Sequence, residues 1–321
     1  MFLIKYLKRK INNLNEFGVY IFFIQILHKI IYGRNLNERV VQFLSEERLK
    51  KYLDKYSYVW ANNKSEFEKQ IVIPKEDIIW TMWLQGEINA PLLIKKCIDS
   101  IRKKCKDKKV VVLDEKNLCD FIDIPNYIRE KYNKGYITRT HFSDIVRLLI
   151  LYKYGGCWLD STVFLSDPTN DLELTIEKVM KLPFFIVKAP LTLNQFRISS
   201  SWIIRSYIND PIIENVCNLL LEYWKKERYM RAYFLIHLCF AKVVEENKIF
   251  KQEWDAIPYF DDSASNYLRT RFGAKYSIAE WNNIKNMTSI HKLNWKLCQK
   301  GESFWGGSGS FCDKFLNGEL K

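Results

Sequence analysis

The stretch from Thr140 to Leu165, THFSDIVRLLILYKYGGCWLDSTVFL, constrains this chain more than any other. Leu148, Leu149, Leu151 and Tyr152 fall at helical spacing and form an apolar stripe, which predicts an amphipathic helix. Gly155 and Gly156 end it, because a left-handed C-cap costs glycine little. Cys157, Trp158 and Leu159 then make an apolar run that fits a short core strand, with Asp160 delivered at its end. At the other end of the helix Ser143 is the expected N-cap, which puts Asp144 and Arg147 in about the first turn. Positions three apart on a helix are rotated by about 300°, so these two side chains lie within ~60° of each other. An acid and an arginine at a helix start, with a carboxylate at a strand end, suit an anionic, hydroxyl-rich ligand such as a sugar nucleotide.

Length and composition narrow the class. The 321 residues fit one large domain, or one domain with a helical appendage. An apolar fraction of 48% supplies an ample core and argues against disorder. Eight cysteines show no C-x-x-C and no paired spacing, and several sit in apolar runs, where free cysteine behaves as a small hydrophobe. A reduced, cytoplasmic setting without a zinc site is therefore expected. The net charge of +13 would suit nucleic acid, anionic lipid or a phosphorylated substrate. No nucleic-acid module or long basic block accompanies it, so nucleic acid is not expected as a partner.

The charge is concentrated near the start. Met1 to Arg34 carry Lys5, Lys8, Arg9, Lys10, Lys29 and Arg34 against one acid, Glu16. The apolar run between them, Phe17 to Leu27, is about half of the ~20 residues a membrane-spanning helix needs. No small-residue cleavage site follows, so it does not read as a signal peptide. Two readings stand: an interfacial helix on anionic lipid at the inner membrane face, or a helix packed on the main domain.

Residues 1–70 are expected to be an N-terminal helical, membrane-associating segment, 71–300 the main domain and 301–321 a flexible tail or a lid. Within the main domain Ile78 to Trp80 and Val110 to Leu113 read as strands, and helices start near Pro91 and Pro125. This alternation predicts an α/β domain with a mainly parallel sheet, whose ligand sits at the carboxyl ends of the strands. Leu182 to Lys188 and Ile198 to Ile204 read as further strands. Pro211 to Glu227 and Arg231 to Glu246 read as long helices.

The central stretch matches S-D-x-x-R-x-x-x-L-x-x-x-G-G-x-W-x-D-x-T, and IIWTMWLQG (from Ile78), VVVLDEKNL (from Val110) and SIHKLNWK (from Ser289) extend it. Together these resemble the bacterial capsular polysaccharide synthesis proteins. More distantly they are similar to the sugar-binding region with a DXD motif found in glycosyltransferase family 32 and in the glucosylating clostridial toxins. The resemblance implies a GT-A-like nucleotide-sugar-binding fold. It also implies a retaining glycosyltransferase that moves a hexose from a nucleotide-diphosphate sugar, with UDP-hexose as the expected donor. The implied acceptor is a lipid-linked oligosaccharide in surface polysaccharide synthesis.

By the same resemblance Asp160 is catalytic and holds a divalent metal, manganese or magnesium, with His291 as second ligand. Asp144 and Arg147 contact the donor sugar, Trp80 or Trp83 stacks on the base, and Ser161, Thr162, His291 and Lys292 complete the donor site. The chain departs from the pattern twice. Thr162 stands where DXD has its second acid, which weakens the case for metal. Ala232, before Tyr233-Phe234, stands where an acid is expected. Asp261 and Asp262 are additional candidates for contact with donor or acceptor. The rival expectation is a catalytically inactive binding or scaffold protein on the same fold.

Overall fold

The computed structural model describes residues 22–33, 37–61, 77–169, 171–188, 198–295 and 307–320. The central sheet contains β1 (Ile78–Met82), β2 (Lys109–Leu113), β3 (Gly156–Leu159), β5 (Phe185–Lys188) and β6 (Ser199–Ser206) in the order β2-β1-β3-β6-β5. β2, β1 and β3 run parallel, and β6 and β5 extend the sheet as antiparallel strands. The chain is α/β, as the strand and helix alternation indicated. A smaller antiparallel pair joins β4 (Val163–Leu165) to β7 (Ile290–Lys292).

The position of β1 decides where a ligand can bind. The chain leaves β1 through the helix Leu92–Lys104 to pair β2 on one side, then returns through the helix Arg139–Tyr154 to pair β3 on the other. Neighbouring crossovers that depart in opposite directions leave a crevice at the carboxyl ends of the two strands, where open α/β sheets bind ligands. Trp83 and Asp160 follow β1 and β3 directly at that edge.

Packing follows the apolar patterns. The helices Arg139–Tyr154, Pro211–Lys226 and Leu235–Glu246 bury Ile145, Leu148, Leu151, Leu220, Trp224 and Phe240 in the cluster that also holds Trp80 and Trp158. A second cluster gathers Leu93, Ile94 and Ile98 around Phe164, Trp281 and Phe315.

Several expectations are corrected. Thr138, not Ser143, caps the central helix, its hydroxyl accepting the His141 N–H at 3.2 Å. Asp144 and Arg147 therefore lie in the second and third turns, beyond the reach of the N-terminal dipole, which fades within the first turn. Pro91 is the N-cap of its helix rather than the first helical residue. Residues 38–56 also contribute to the core. The helix Glu38–Tyr52 and the turn after it place Leu49, Leu53 and Tyr56 in the main cluster. Residues 307–320 pack against the domain, with Phe311, Cys312 and Phe315 buried in the second cluster. Trp305 and the basic residues 5–10 lie outside the described residues.

Gly156 holds the sheet junction. Its φ is +95°, and a Cβ there would lie 2.5 Å from the Ile78 carbonyl oxygen on β1. Gly156→Ala is therefore expected to destabilise the fold by more than the roughly 1–2 kcal/mol of a left-handed residue alone. Urea unfolding measures this, and an unchanged midpoint would remove the close β1–β3 approach from the account.

Candidate functional site

Asp160 leaves β3 into a tight turn and is fixed from both sides by backbone. Its N–H donates to the Trp202 carbonyl on β6 at 2.9 Å, and its own carbonyl accepts from Val163 N–H at 2.8 Å. Its Oδ1 accepts from Arg147 Nη2 at 3.2 Å and Trp158 Nε1 at 3.0 Å. Its Oδ2 lies 3.3 Å from Lys292 Nζ. Burial by itself raises the Asp160 carboxyl, but the charges of Arg147 and Lys292 and the bonds from Trp158 and Lys292 outweigh it and hold the group below the usual carboxylate range. The side chain is 26% exposed, so the carboxylate remains reachable from solvent.

Arg147 is 4% exposed and ties three elements together. One terminal nitrogen donates to the carbonyl of Ser201 on β6 and, at 2.7 Å, to its hydroxyl. The other meets Asp160 and lies 3.3 Å from Asp144 Oδ1. Its guanidinium lies over the Trp158 ring, 5.1 Å from the centroid. Asp144 Oδ2 is 3.4 Å from His141 Nδ1 on the same helix. Asp144, Arg147, Asp160 and Lys292 thus form a chain of alternating charge from the buried helix to the crevice.

Thr162 and Lys292 meet in the same place, the ammonium donating to the Thr162 hydroxyl. Register brings them together, since Val163 on β4 pairs with Lys292 on β7 and the Thr162 carbonyl accepts Leu293 N–H at 2.9 Å. Ser161 is buried in the turn beside them. His291 is not brought to the site. Successive strand residues point to opposite faces, and His291 lies against Phe164 and Trp281 with Nε2 2.8 Å from Ser166 Oγ. Burial pushes its imidazole down to about 3.

Trp80 is core, donating to the Gly155 carbonyl at 2.9 Å and packing on Phe121 and Tyr154. Trp83 is the tryptophan at the open edge, half-buried and edge-on to Trp295 at 5.3 Å. Asp261 is a helix cap, accepting Ser263 N–H at 2.9 Å. Asp262 accepts from Trp202 Nε1 at 2.9 Å, and burial raises its carboxyl. Tyr233, 48% exposed, hydrogen-bonds Thr140. Burial first, and then the nearby Asp144 and Asp160 charges, raise its phenol. The roles of Trp158, Ser201 and Trp202 as donors and acceptors at this site escaped the sequence, where each reads as an apolar or neutral strand residue. The W-x-D spacing was the available signal for Trp158.

A divalent cation finds few ligands here. Magnesium and manganese need several oxygen ligands at short range, usually with carboxylates among them. Asp160 is the single acid of the motif, and its Oδ2 and the Thr162 hydroxyl both face an ammonium. Among the described residues no group of three His, Cys, Asp or Glu is arranged to hold a metal. The side chains in this arrangement do not form a metal cage.

Asp160→Asn is expected to cost roughly 1–3 kcal/mol of stability, because Arg147 then loses an ionic partner inside the protein. The carboxyl is held low, so its contribution is present above about pH 4, the ordinary aspartate value, and is lost as pH falls through the lower folded value. Denaturant midpoints of wild type and variant should converge below that pH. Parallel curves across the whole range would show that the ion pairs do not couple to folding.

Comparison with known proteins gives the family. O-glycosyltransferase braB of Annulohypoxylon truncatum is 23% identical over 141 residues, 41% of this chain and 32% of that protein. O-glycosyltransferase PaGT of Phomopsis amygdali is 41% identical over 49 residues, 15% of this chain and 12% of that protein. The matches therefore span a third or less of each fungal relative. Among solved structures, PaToxG Glycosyltransferase aligns with 77% of this chain and 95% of its own at 16% identity and a TM-score of 0.34. The model of the capsular polysaccharide synthesis protein family matches residues 25–306, which include every residue of the Asp144–Lys292 charge chain, and the chain belongs to that family.

Proposed function

We propose that this protein is a retaining glycosyltransferase that moves a hexose from a nucleotide-diphosphate sugar, with UDP-hexose as the donor, to a lipid-linked oligosaccharide in capsular or other surface polysaccharide synthesis. The observation that carries the proposal is the reachable Asp160 carboxylate, held by Arg147 and Lys292 at the carboxyl end of β3 beside the crossover crevice. Family membership and the names of the two fungal relatives support glycosyl transfer.

In this mechanism Asp160 accepts hydrogen bonds from donor-sugar hydroxyls, while Asp144, buried with its oxygens 3.3 Å from Arg147 and 3.4 Å from His141, acts through Arg147 rather than on the sugar. Arg147, whose terminal nitrogens are already engaged within the protein, sets the positions of both carboxylates. Trp83 offers an aromatic edge at the end of β1 for the base. The glycosidic C–O bond breaks with its electron pair passing to the β-phosphate oxygen, and the acceptor oxygen bonds the anomeric carbon. The acceptor proton passes to the departing phosphate. A dedicated base is not needed on this route.

Hydrolysis of a panel of nucleotide-diphosphate sugars by the full chain tests the proposal. One donor should turn over, and Asp160→Asn, assayed where it remains folded, should lose about 10²-fold or more. Binding of a nucleotide sugar with no turnover toward water or any acceptor would instead favour the inactive scaffold.

The acceptor proposed here is membrane-borne, and the outer helix over 22–32 supports attachment at the inner membrane face. Phe23, Leu27, Ile30 and Ile31 are exposed and recur at i, i+4, i+7 and i+8, which is one helical face. No helix among the described residues is long and apolar enough to cross a membrane. An apolar stripe with six cations in the surrounding thirty-four residues fits an interfacial helix on anionic lipid. Leu27→Glu with Ile31→Glu is expected to release the protein from anionic vesicles in co-sedimentation while donor hydrolysis persists. Retained binding would place the membrane contact elsewhere.

A further inference from the structure

Lys292 stands where a DXD-type site would present its metal. In such a site two acids carry two negative charges and a divalent cation balances them. Here the second acid is Thr162, so the motif carries one negative charge, and one ammonium balances it. The positions match as well as the charges. Lys292 Nζ contacts Oδ2 of the first motif residue, Asp160, and the hydroxyl of the third, Thr162. A divalent cation bound to those two oxygens would need them at about 2.0–2.2 Å, inside the space the ammonium holds. The remaining oxygen of Asp160 is engaged by Arg147 and Trp158.

We infer that Lys292 performs the electrostatic task of the divalent cation, binding the donor diphosphate and neutralising the leaving nucleoside diphosphate without an obligate metal. The inference rests on the glycosyl-transfer proposal for the reaction it serves, but nucleoside diphosphate binding tests it separately. An ammonium has three N–H donors. Asp160 and Thr162 engage two, and the side chain is 19% exposed, so the third can meet a phosphate oxygen entering the crevice. Lysine suits this role as a compact, strongly hydrated point charge on a flexible stem. When the glycosidic bond breaks, the electron pair goes to the β-phosphate oxygen, and the ammonium stabilises the growing charge while keeping its own proton.

The test uses the full chain with UDP and GDP as probes. Calorimetry in EDTA should show one of them binding, and Mn²⁺ should tighten binding by no more than about twofold. Electron paramagnetic resonance should show Mn²⁺ remaining free in the presence of the nucleotide-free protein. Lys292→Met keeps the stem and loses the charge, and in EDTA it should bind the nucleotide at least about tenfold more weakly. Stoichiometric Mn²⁺ binding by the wild type would overturn the inference. So would nucleotide binding that appears only with Mn²⁺, or a folded Lys292→Met variant that binds in EDTA as the wild type does. If the nucleotide binds in EDTA through Lys292 yet no sugar is ever transferred, the glycosyl-transfer proposal fails and the role of Lys292 in diphosphate binding stands.

Discussion

The Arg147–Asp160 ion pair is the interaction on which the site depends. Arg147 lies on the central helix, Asp160 follows β3, and Ser201, which also binds Arg147, lies on β6. A buried guanidinium is costly to desolvate, and the cost is offset only when its donors find partners with good geometry. Here both terminal nitrogens do, while Nε is buried without one among the described residues. The helix cannot shift relative to the sheet without breaking these contacts. The geometry of the crevice is therefore set from within the core rather than by surface loops.

The same economy shows in the short turn after Asp160. Three residues carry the chain from the main sheet to the small one, and the backbone bonds of Asp160 to Trp202 and Val163 leave it little freedom. Because β4 pairs with β7 in a defined register, Lys292 arrives at the carboxylate from a part of the chain more than a hundred residues away. A slip of one residue in that pairing would exchange the faces of β7. His291 would then turn to the crevice and Lys292 to the apolar side. The ring contacts of His291 with Phe164 and Trp281 oppose such a slip. Packing on the hidden face of β7 thus selects which residue meets Asp160.

Much of the architecture was legible before any coordinates. The helical stripe, the glycine pair and the apolar run ending on Asp160 rest on local periodicity and on the backbone freedom of glycine, and both operate within a few residues. The positions of β1, β2 and the long helix after Asp210 were legible for the same reason. Ser143 misled as a cap because any serine near a helix start resembles one. Thr138 won because its extended backbone aims the hydroxyl at the first free N–H groups. The glycine- and serine-rich composition after Gly301 suggested mobility, yet Phe311 and Phe315 find an apolar cluster that composition alone does not reveal.

The sequence by itself determined the α/β class, the family, and the acid-arginine pair one helical turn apart, since each follows from short-range pattern and residue type. Only the tertiary structure decided how those residues are used. It turned Trp80 into the core and left Trp83 at the edge, because Trp80 lies within β1, buried on both faces, whereas Trp83 follows the end of that strand. It took His291 away from Asp160 and brought Lys292 to it, and it engaged Arg147 within the protein through a strand the motif does not contain. Those outcomes depend on pairing between segments far apart in the chain, and no local pattern encodes the register at which distant strands meet.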